Sequence, residues 1–241
     1  MRVAIHQPHY FPWIGYFDKI AKVDTFVILD QVQFEKGSQM VRNRVLSNNG
    51  DIKYITISAD TKDFLNRKYC DIQIKNPNEW KIKQKNALLN YYRKAEYRDE
   101  VMNIFCNFLS NTYLFLSEWT CESVKFVCRL LDIQTEIIYQ SKIDYVDKGK
   151  KSDLVLSICQ ALKSDCYFSG RGGSVNYLDF LEFKKNGIDV VLQDFSHPIY
   201  KQCNSEKFIP GLSILDALLN CGIQKTKQMF WDNFSKTEFP I

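Results

Sequence analysis

Long apolar runs are missing from this chain of 241 residues: no stretch approaches the roughly 18 apolar residues that a membrane span requires. A helical membrane protein is therefore excluded. The opening, MRVAIHQPHY, has one arginine and a very short apolar run, which is not the make-up of a signal peptide. An excess of one charge is missing as well. The 32 Lys and Arg stand against 28 Asp and Glu, for a formal net charge of +4. Because the signs are interspersed, neither nucleic acid nor a membrane surface is the expected partner. No C-x-x-C pair occurs among the eight cysteines, which run from Cys70 to Cys221. Free thiols in a cytoplasmic protein are the expectation, with Cys121 and Cys128, two helical turns apart, in the core. Metal ligation is the alternative reading of the cysteines, and no metal site is assigned. Internal repeats, low-complexity segments and the G-x-G-x-x-G and P-loop spacings are also absent.

What is present is alternation. With 45% hydrophobic and 25% charged residues, the chain can bury the core of one large domain. RVAIHQ reads as a strand, PWIGYFDKIAKV as a helix and DTFVILD as a strand of the near-continuous apolar kind found in parallel sheets. VRNRVLSNNGDIKYITISA, with Asn-Asn-Gly at its centre, reads as a β-hairpin. Residues of about 77–132 carry two long 3.6-residue periodicities and form a helical insert. Then TEIIYQ, KSDLVLSICQALK, DCYFSG, VNYLDFLEFKKNG, IDVVLQDF and LSILDALLNCG alternate strand and helix, the last two helices ending at Gly187 and Gly222. The expected fold is α/β: a doubly wound, mostly parallel, Rossmann-like sheet drawing on both ends of a single domain, 1–241.

Such sheets bind ligands beyond the carboxyl ends of their strands, where strand order reverses. The stretch AIHQPHYFPWIGYFDKI crosses that edge, and it holds two of the three histidines. Gln7, His9 and Tyr10 stand in the loop after the first strand, while Phe17, Ile20 and Ala21 suit packing of the helix on the sheet. Pro12 fits the first helical turn, whose free N–H groups suit an anion. Asp30, Gln31 and Gln33 follow the second strand, and Lys36, Arg42, Asn43 and Arg44 precede or enter the hairpin, where arginine can fork onto phosphate or carboxylate. Ser169, Gly170, Arg171, Gly172 and Gly173 form a loop whose bare backbone can approach a phosphate closely. His197, Tyr200 and Gln202 follow the last strand. His6, at the end of a strand, reads as structural, and His197 before a proline as turn chemistry. The loops after the first and fourth parallel strands and the hairpin arginines are expected to converge, with Tyr10, Asp30, Arg44 and Gly170 lining one cleft that the central helices cover or wall.

The segments VAIHQPHYFPWIGYFDKI, VDTFVILDQVQF, RNRV, DCYFSGRGGSVNYLD and FIPGLSILDALLNCG, in this order, resemble the WbqC-like family over nearly the whole chain. Members occur in bacterial O-antigen and surface-polysaccharide gene clusters, and glycine transfer is the role suggested for some. The resemblance implies attachment of an amino acid to an amino sugar. It carries over as site positions Gln7, Pro8, Tyr10, Gly15, Asp30, Gln33, Phe34, Asn43, Arg44, Ser169, Gly170 and Tyr177. A remoter similarity places Gly15 on the glycine of the H-x-G-H motif of nucleotidylyltransferases and pantothenate synthetase, with Trp13 and Tyr16 where both histidines belong.

Amide formation needs an activated acyl donor, a neutral amine and donors around the oxyanion. The expected machinery is His9 as general base, Asp30 as its orienter or the anchor of the amine, and Tyr10 beside them as a catalytic or stacking group. Gln7, Trp13, Gln33, Arg42, Asn43, Arg44, Tyr177 and Gln202 are the expected substrate contacts. The loop Ser169–Gly173 would hold phosphate. The expected partners are a nucleotide-linked amino sugar and an amino-acid donor, with aminoacyl-tRNA left open as that donor. ATP with magnesium is the candidate cofactor. Two alternatives belong to other classes: an ATP-dependent nucleotidylyltransferase-like activating enzyme, and a noncatalytic sugar-recognition or scaffold protein.

Overall fold

The structure is a computed structural model that describes residues 1–147, 149 and 151–235, the side chain of Asn66 apart. In chain order the elements are β1 (Arg2–His6), α1 (Ile14–Ala21), β2 (Thr25–Ile28), β3 (Arg42–Leu46), β4 (Ile52–Thr56), α2 (Pro77–Tyr91), α3 (Arg98–Leu109), α4 (Leu116–Leu130), β5 (Glu136–Tyr139), α5 (Ser152–Ala161), β6 (Cys166–Ser169), α6 (Phe180–Lys185), β7 (Asp189–Leu192) and α7 (Ile214–Phe234). Five strands make one parallel sheet in the order β5-β2-β1-β6-β7, and β3 and β4 pair separately as an antiparallel hairpin. This is the α/β architecture that the alternation predicts. The first two strands come from one end of the chain and the last three from the other.

Both faces of the sheet are covered, which is why its central strands are apolar throughout. Ala4, Phe26, Ile28 and Phe168 join one buried cluster with α1, the helices α2 to α4, the hairpin and α7. Val3, Ile5, Val27, Leu29 and Tyr167, the alternate residues, join a second cluster with α5 and α6. Phe17 and Ile20 are fully buried, as helix packing on the sheet requires. All eight cysteines are free thiols.

Three helices depart from their periodicity, each for a tertiary reason. The pattern that begins at Pro77 breaks between α2 and α3: the Tyr92 hydroxyl donates to Asp216 and accepts from the Leu46 N–H, and the Tyr97 N–H donates to the Leu219 carbonyl. The helix expected from VNYLDFLEFKKNG shortens to α6, because the Asp179 side chain caps it by accepting from the Glu182 N–H. The last helix does not end at Gly222. It kinks there, at φ 76, with the Tyr97 ring against the missing Cβ, and continues to Phe234.

Candidate functional site

Strand order reverses between β1 and β6, and there the sheet opens. The two strands pair only at Arg2 with Cys166 and Val3 with Tyr167, whereas β1 stays paired with β2 as far as His6 and β6 with β7 as far as Ser169. Beyond Val3 the strands part and leave a crevice of about 390 Å³. Ile5, Leu29, Val32, Leu154, Val155 and Tyr167 make it apolar. His6, Gln7, Lys19, Lys151, Gly170, Gly172, Gly173, Ser174 and Tyr177 supply its polar groups.

Lys19 is the unexpected member. It lies on α1 among buried neighbours, 4% exposed, and its Nζ donates to the Ile5 carbonyl at 3.1 Å. That carbonyl is free because β6 has turned away. Burial disfavours the charged ammonium and brings Lys19 down to about 7. In the sequence it is one more lysine in an amphipathic helix, and its only signal is a charge on a helix whose every neighbour is apolar or buried.

His6 also enters the crevice. Its Nδ1 lies 2.9 Å from the Gln7 carbonyl, an oxygen that only accepts, so Nδ1 carries the proton and Nε2 is the basic nitrogen. Burial first, then the charge of Lys19, hold its pKa well below the usual histidine value. His9 stands edge to face with His6, ring centroids 4.8 Å apart, and burial lowers it to about 4. Its buried Nδ1 has no partner among the described residues.

The glycine loop faces these groups across the crevice. Ser169 is wholly buried, and its hydroxyl shares a hydrogen bond with Ser174 at 3.0 Å. A Cβ on Gly172 or Gly173 would meet nothing within 4 Å, so the backbone there borders open space. Arg171 turns outward, its Nε donating to the Gln193 carbonyl at 3.0 Å. Lys151 precedes the first turn of α5, which supplies the remaining wall.

Of the expected site residues, Gln7, Tyr177, Gly170, Gly172 and Gly173 meet in this crevice. The others are placed elsewhere. Tyr10 is fully buried and its hydroxyl donates to Gln84 Oε1 at 2.9 Å, so it is a core residue. Asn43 Nδ2 donates to the carbonyls of Tyr10 and Phe11 at 3.0 and 2.9 Å, which binds the opening loop to the hairpin. Gln202 joins Tyr92 and Tyr200 around the buried Asp216 carboxylate. Pro8 and Phe34 are buried. Arg44 donates to the Gly211 carbonyl at 2.7 Å, Arg42 lies over the Tyr54 ring, and Gln33 donates to the Leu65 carbonyl. Pro12 precedes α1 instead of entering its first turn, because the helix begins at Ile14. Trp13 packs against Phe195 and His197, and its ring fills the space a Cβ on Gly15 would need.

Asp30 does not orient His9. Its carboxylate accepts from the Ser141 N–H and hydroxyl at 2.9 and 2.6 Å, and it borders a different cavity with Tyr113, Cys121 and Tyr139. The cleft expected to unite Tyr10, Asp30, Arg44 and Gly170 therefore does not form, and the helical insert does not line the crevice; α5 does. Among the described residues no group of three or more His, Cys, Asp and Glu is placed to hold a metal ion, and no helix is long and apolar enough to cross a membrane.

The WbqC-like protein family model matches residues 7–228 of this chain. The uncharacterized protein Rv1507c of Mycobacterium tuberculosis (strain ATCC 25618 / H37Rv) is 30% identical over 224 residues, covering 92% of this chain and 95% of that protein. No solved structure matches the chain.

Proposed function

The chain belongs to the WbqC-like protein family, and on that premise we propose that it is an aminoacyl transferase. It would form an amide between an activated amino acid, glycine first among them, and the amino group of a nucleotide-linked amino-deoxy sugar for surface polysaccharide. The observation that carries this reading is the parted pair β1 and β6, which opens a partly apolar crevice between a histidine with a defined basic nitrogen and a bare glycine loop.

In this mechanism the sugar amine attacks the acyl carbon and the new C–N bond forms as His6 Nε2 accepts the proton of the amine. The N–H groups of Gly172, Gly173 and Ser174 have no acceptor among the described residues, and they suit the phosphate of the nucleotide-linked sugar. Collapse breaks the bond from the acyl carbon to the donor's leaving group, which takes the proton from His6. The base is placed at His6 in preference to His9, because His6 borders the crevice and His9 keeps its Nδ1 inside the protein. Adenylation in the H-x-G-H manner has less support: Trp13 is packed away and the Tyr16 hydroxyl is committed to the Gln7 carbonyl at 3.0 Å.

The test is to incubate the protein with a nucleotide-linked amino sugar, glycine and ATP with magnesium, or preformed glycyl donors including glycyl-tRNA, and to follow the sugar by mass spectrometry. A product heavier by one glycyl residue is expected, with His6→Gln slower by about 10²-fold or more and equally well folded. Binding of the sugar without product from any donor would favour a recognition protein, and an unaffected His6→Gln rate would remove the base from His6.

A further inference from the structure

Resting on the reading that the crevice holds a nucleotide-linked substrate, the charge balance of its walls says how that substrate is received. An ammonium has three N–H donors, yet Lys19 has one acceptor among the described residues, the Ile5 carbonyl. Among the described residues no aspartate or glutamate lines the crevice, whereas Lys19 and Lys151 both do. A buried cation without a carboxylate either gives up its proton or takes its counter-charge from what fills the cavity. We propose that the diphosphate of the ligand lies against Lys19 and that Lys19 takes up a proton as the anion arrives, so that Lys19 is charged chiefly when the crevice is filled.

The neighbouring groups leave that proton to Lys19. Burial brings Lys19 to about 7, so much of it is neutral near pH 7.5. An anion within about 4–6 Å favours the charged form and raises that value. His6 on β1 and His9 on the following loop are both held low, chiefly by burial. Tyr16 on α1, Tyr167 on β6 and Tyr177 beyond the glycine loop are all pushed up by burial and stay neutral hydroxyls. Asp18, next to Lys19 on α1, is engaged by Lys22 at 3.1 Å and Gln193 at 2.7 Å. Lys151, beside α5, adds a second positive group at the crevice wall.

Calorimetric titration of the full chain with UDP, ADP and inorganic pyrophosphate, in two buffers of different ionisation enthalpy, reads the protons exchanged by the protein once the titration of each ligand's own phosphate over the same pH range has been measured and subtracted. The wild type is expected to bind a diphosphate with an uptake rising from roughly 0.2 proton at pH 6.5 to roughly 0.8 at pH 8, the course set by a group near 7. UDP or ADP binding tighter than pyrophosphate would assign the anion to a nucleotide; pyrophosphate binding as tightly as either would overturn the nucleotide assignment. Lys19→Met should bind at least tenfold more weakly and without uptake, and Lys19→Arg, permanently charged, should bind without uptake. If either variant fails to fold, the pH course of the wild-type uptake decides. Binding without uptake, uptake that does not change between pH 6.5 and 8, or equal uptake in Lys19→Met would overturn the role of Lys19 while leaving the site in place. Absence of binding by any of the three ligands would overturn the site reading itself.

Discussion

Lys19 Nζ reaches the Ile5 carbonyl at 3.1 Å because β1 and β6 have parted two residues earlier, after Val3 and Tyr167. One missing stretch of ladder thus leaves a strand carbonyl free, draws a lysine into an apolar setting and opens the space that both border. The consequences reach beyond binding.

Burying Lys19 costs stability, and the cost depends on pH. Its folded value of about 7 lies below its ordinary 10.5, so between those limits the unfolded chain binds the extra proton and stability rises with pH. Below about pH 7 both states are charged and the full penalty applies. Lys19→Met is therefore expected to be more stable than the wild type at pH 7 by about 1–3 kcal/mol, the gain fading towards pH 10.5. Urea unfolding of both proteins across pH 6.5–10.5 measures the difference; a destabilised Met variant with no pH trend would mean that Lys19 serves packing alone.

The histidine pair acts in the opposite pH range. His9, lowered to about 4 from 6.5 chiefly by burial, binds its proton more weakly folded than unfolded. Stability present above pH 6.5 is lost as the pH falls towards 4. His9→Phe keeps an aromatic ring against His6 and Tyr16 and removes one titration. Its acid unfolding, followed by circular dichroism, should be shallower than that of the wild type over this window, and an identical acid limb would contradict the placement of His9.

Asn43 holds the opening loop instead of a substrate. Asn43→Ala removes the donor from two buried carbonyls and is expected to destabilise the fold by about 2–3 kcal/mol in denaturant titrations. Diphosphate affinity per folded molecule should be unchanged. A stable variant with lost affinity would return Asn43 to the site.

Two kinds of glycine separate by substitution. At Gly15 a Cβ would collide with the Trp13 ring, so Gly15→Ala should push that ring off Phe195 and His197 and cost about 1–3 kcal/mol. Gly172→Ala and Gly173→Ala have open space and should leave thermal stability nearly unchanged while weakening diphosphate binding. If the loop variants bind as well as the wild type, the backbone there does not approach the ligand.

The sheet was legible in the sequence because buried parallel strands announce themselves as apolar runs, and DTFVILD and IDVVLQDF appear where the structure has β2 and β7. The place of Gly170, Gly172 and Gly173 at the edge of the sheet was legible for a similar reason: glycines between a strand and a helix leave bare backbone there. The rest was not. Tyr10 and Gln202 are polar residues in loops and Asn43 stands in the hairpin strand β3, and nothing local distinguishes a polar group that meets a ligand from one that satisfies a buried carbonyl or the Asp216 carboxylate. Lys19 failed in the reverse sense. Its position on α1 is ordinary, and only the early end of the β1–β6 pairing, set by residues about 160 apart, turns it into a buried cation. The aromatic density of the opening stretch has the same explanation: Tyr10 and Phe11 are core residues at 0% exposure, where the hairpin, the insert and α7 meet.

The most direct measurement is a crystal structure of the protein grown with a nucleotide-linked amino sugar. The account expects the diphosphate between Lys19 and the Gly170–Gly173 loop, with the sugar amine within hydrogen-bond reach of His6 Nε2. Ligand density in the cavity beside Asp30 and Tyr139, with the crevice between β1 and β6 empty, would contradict it.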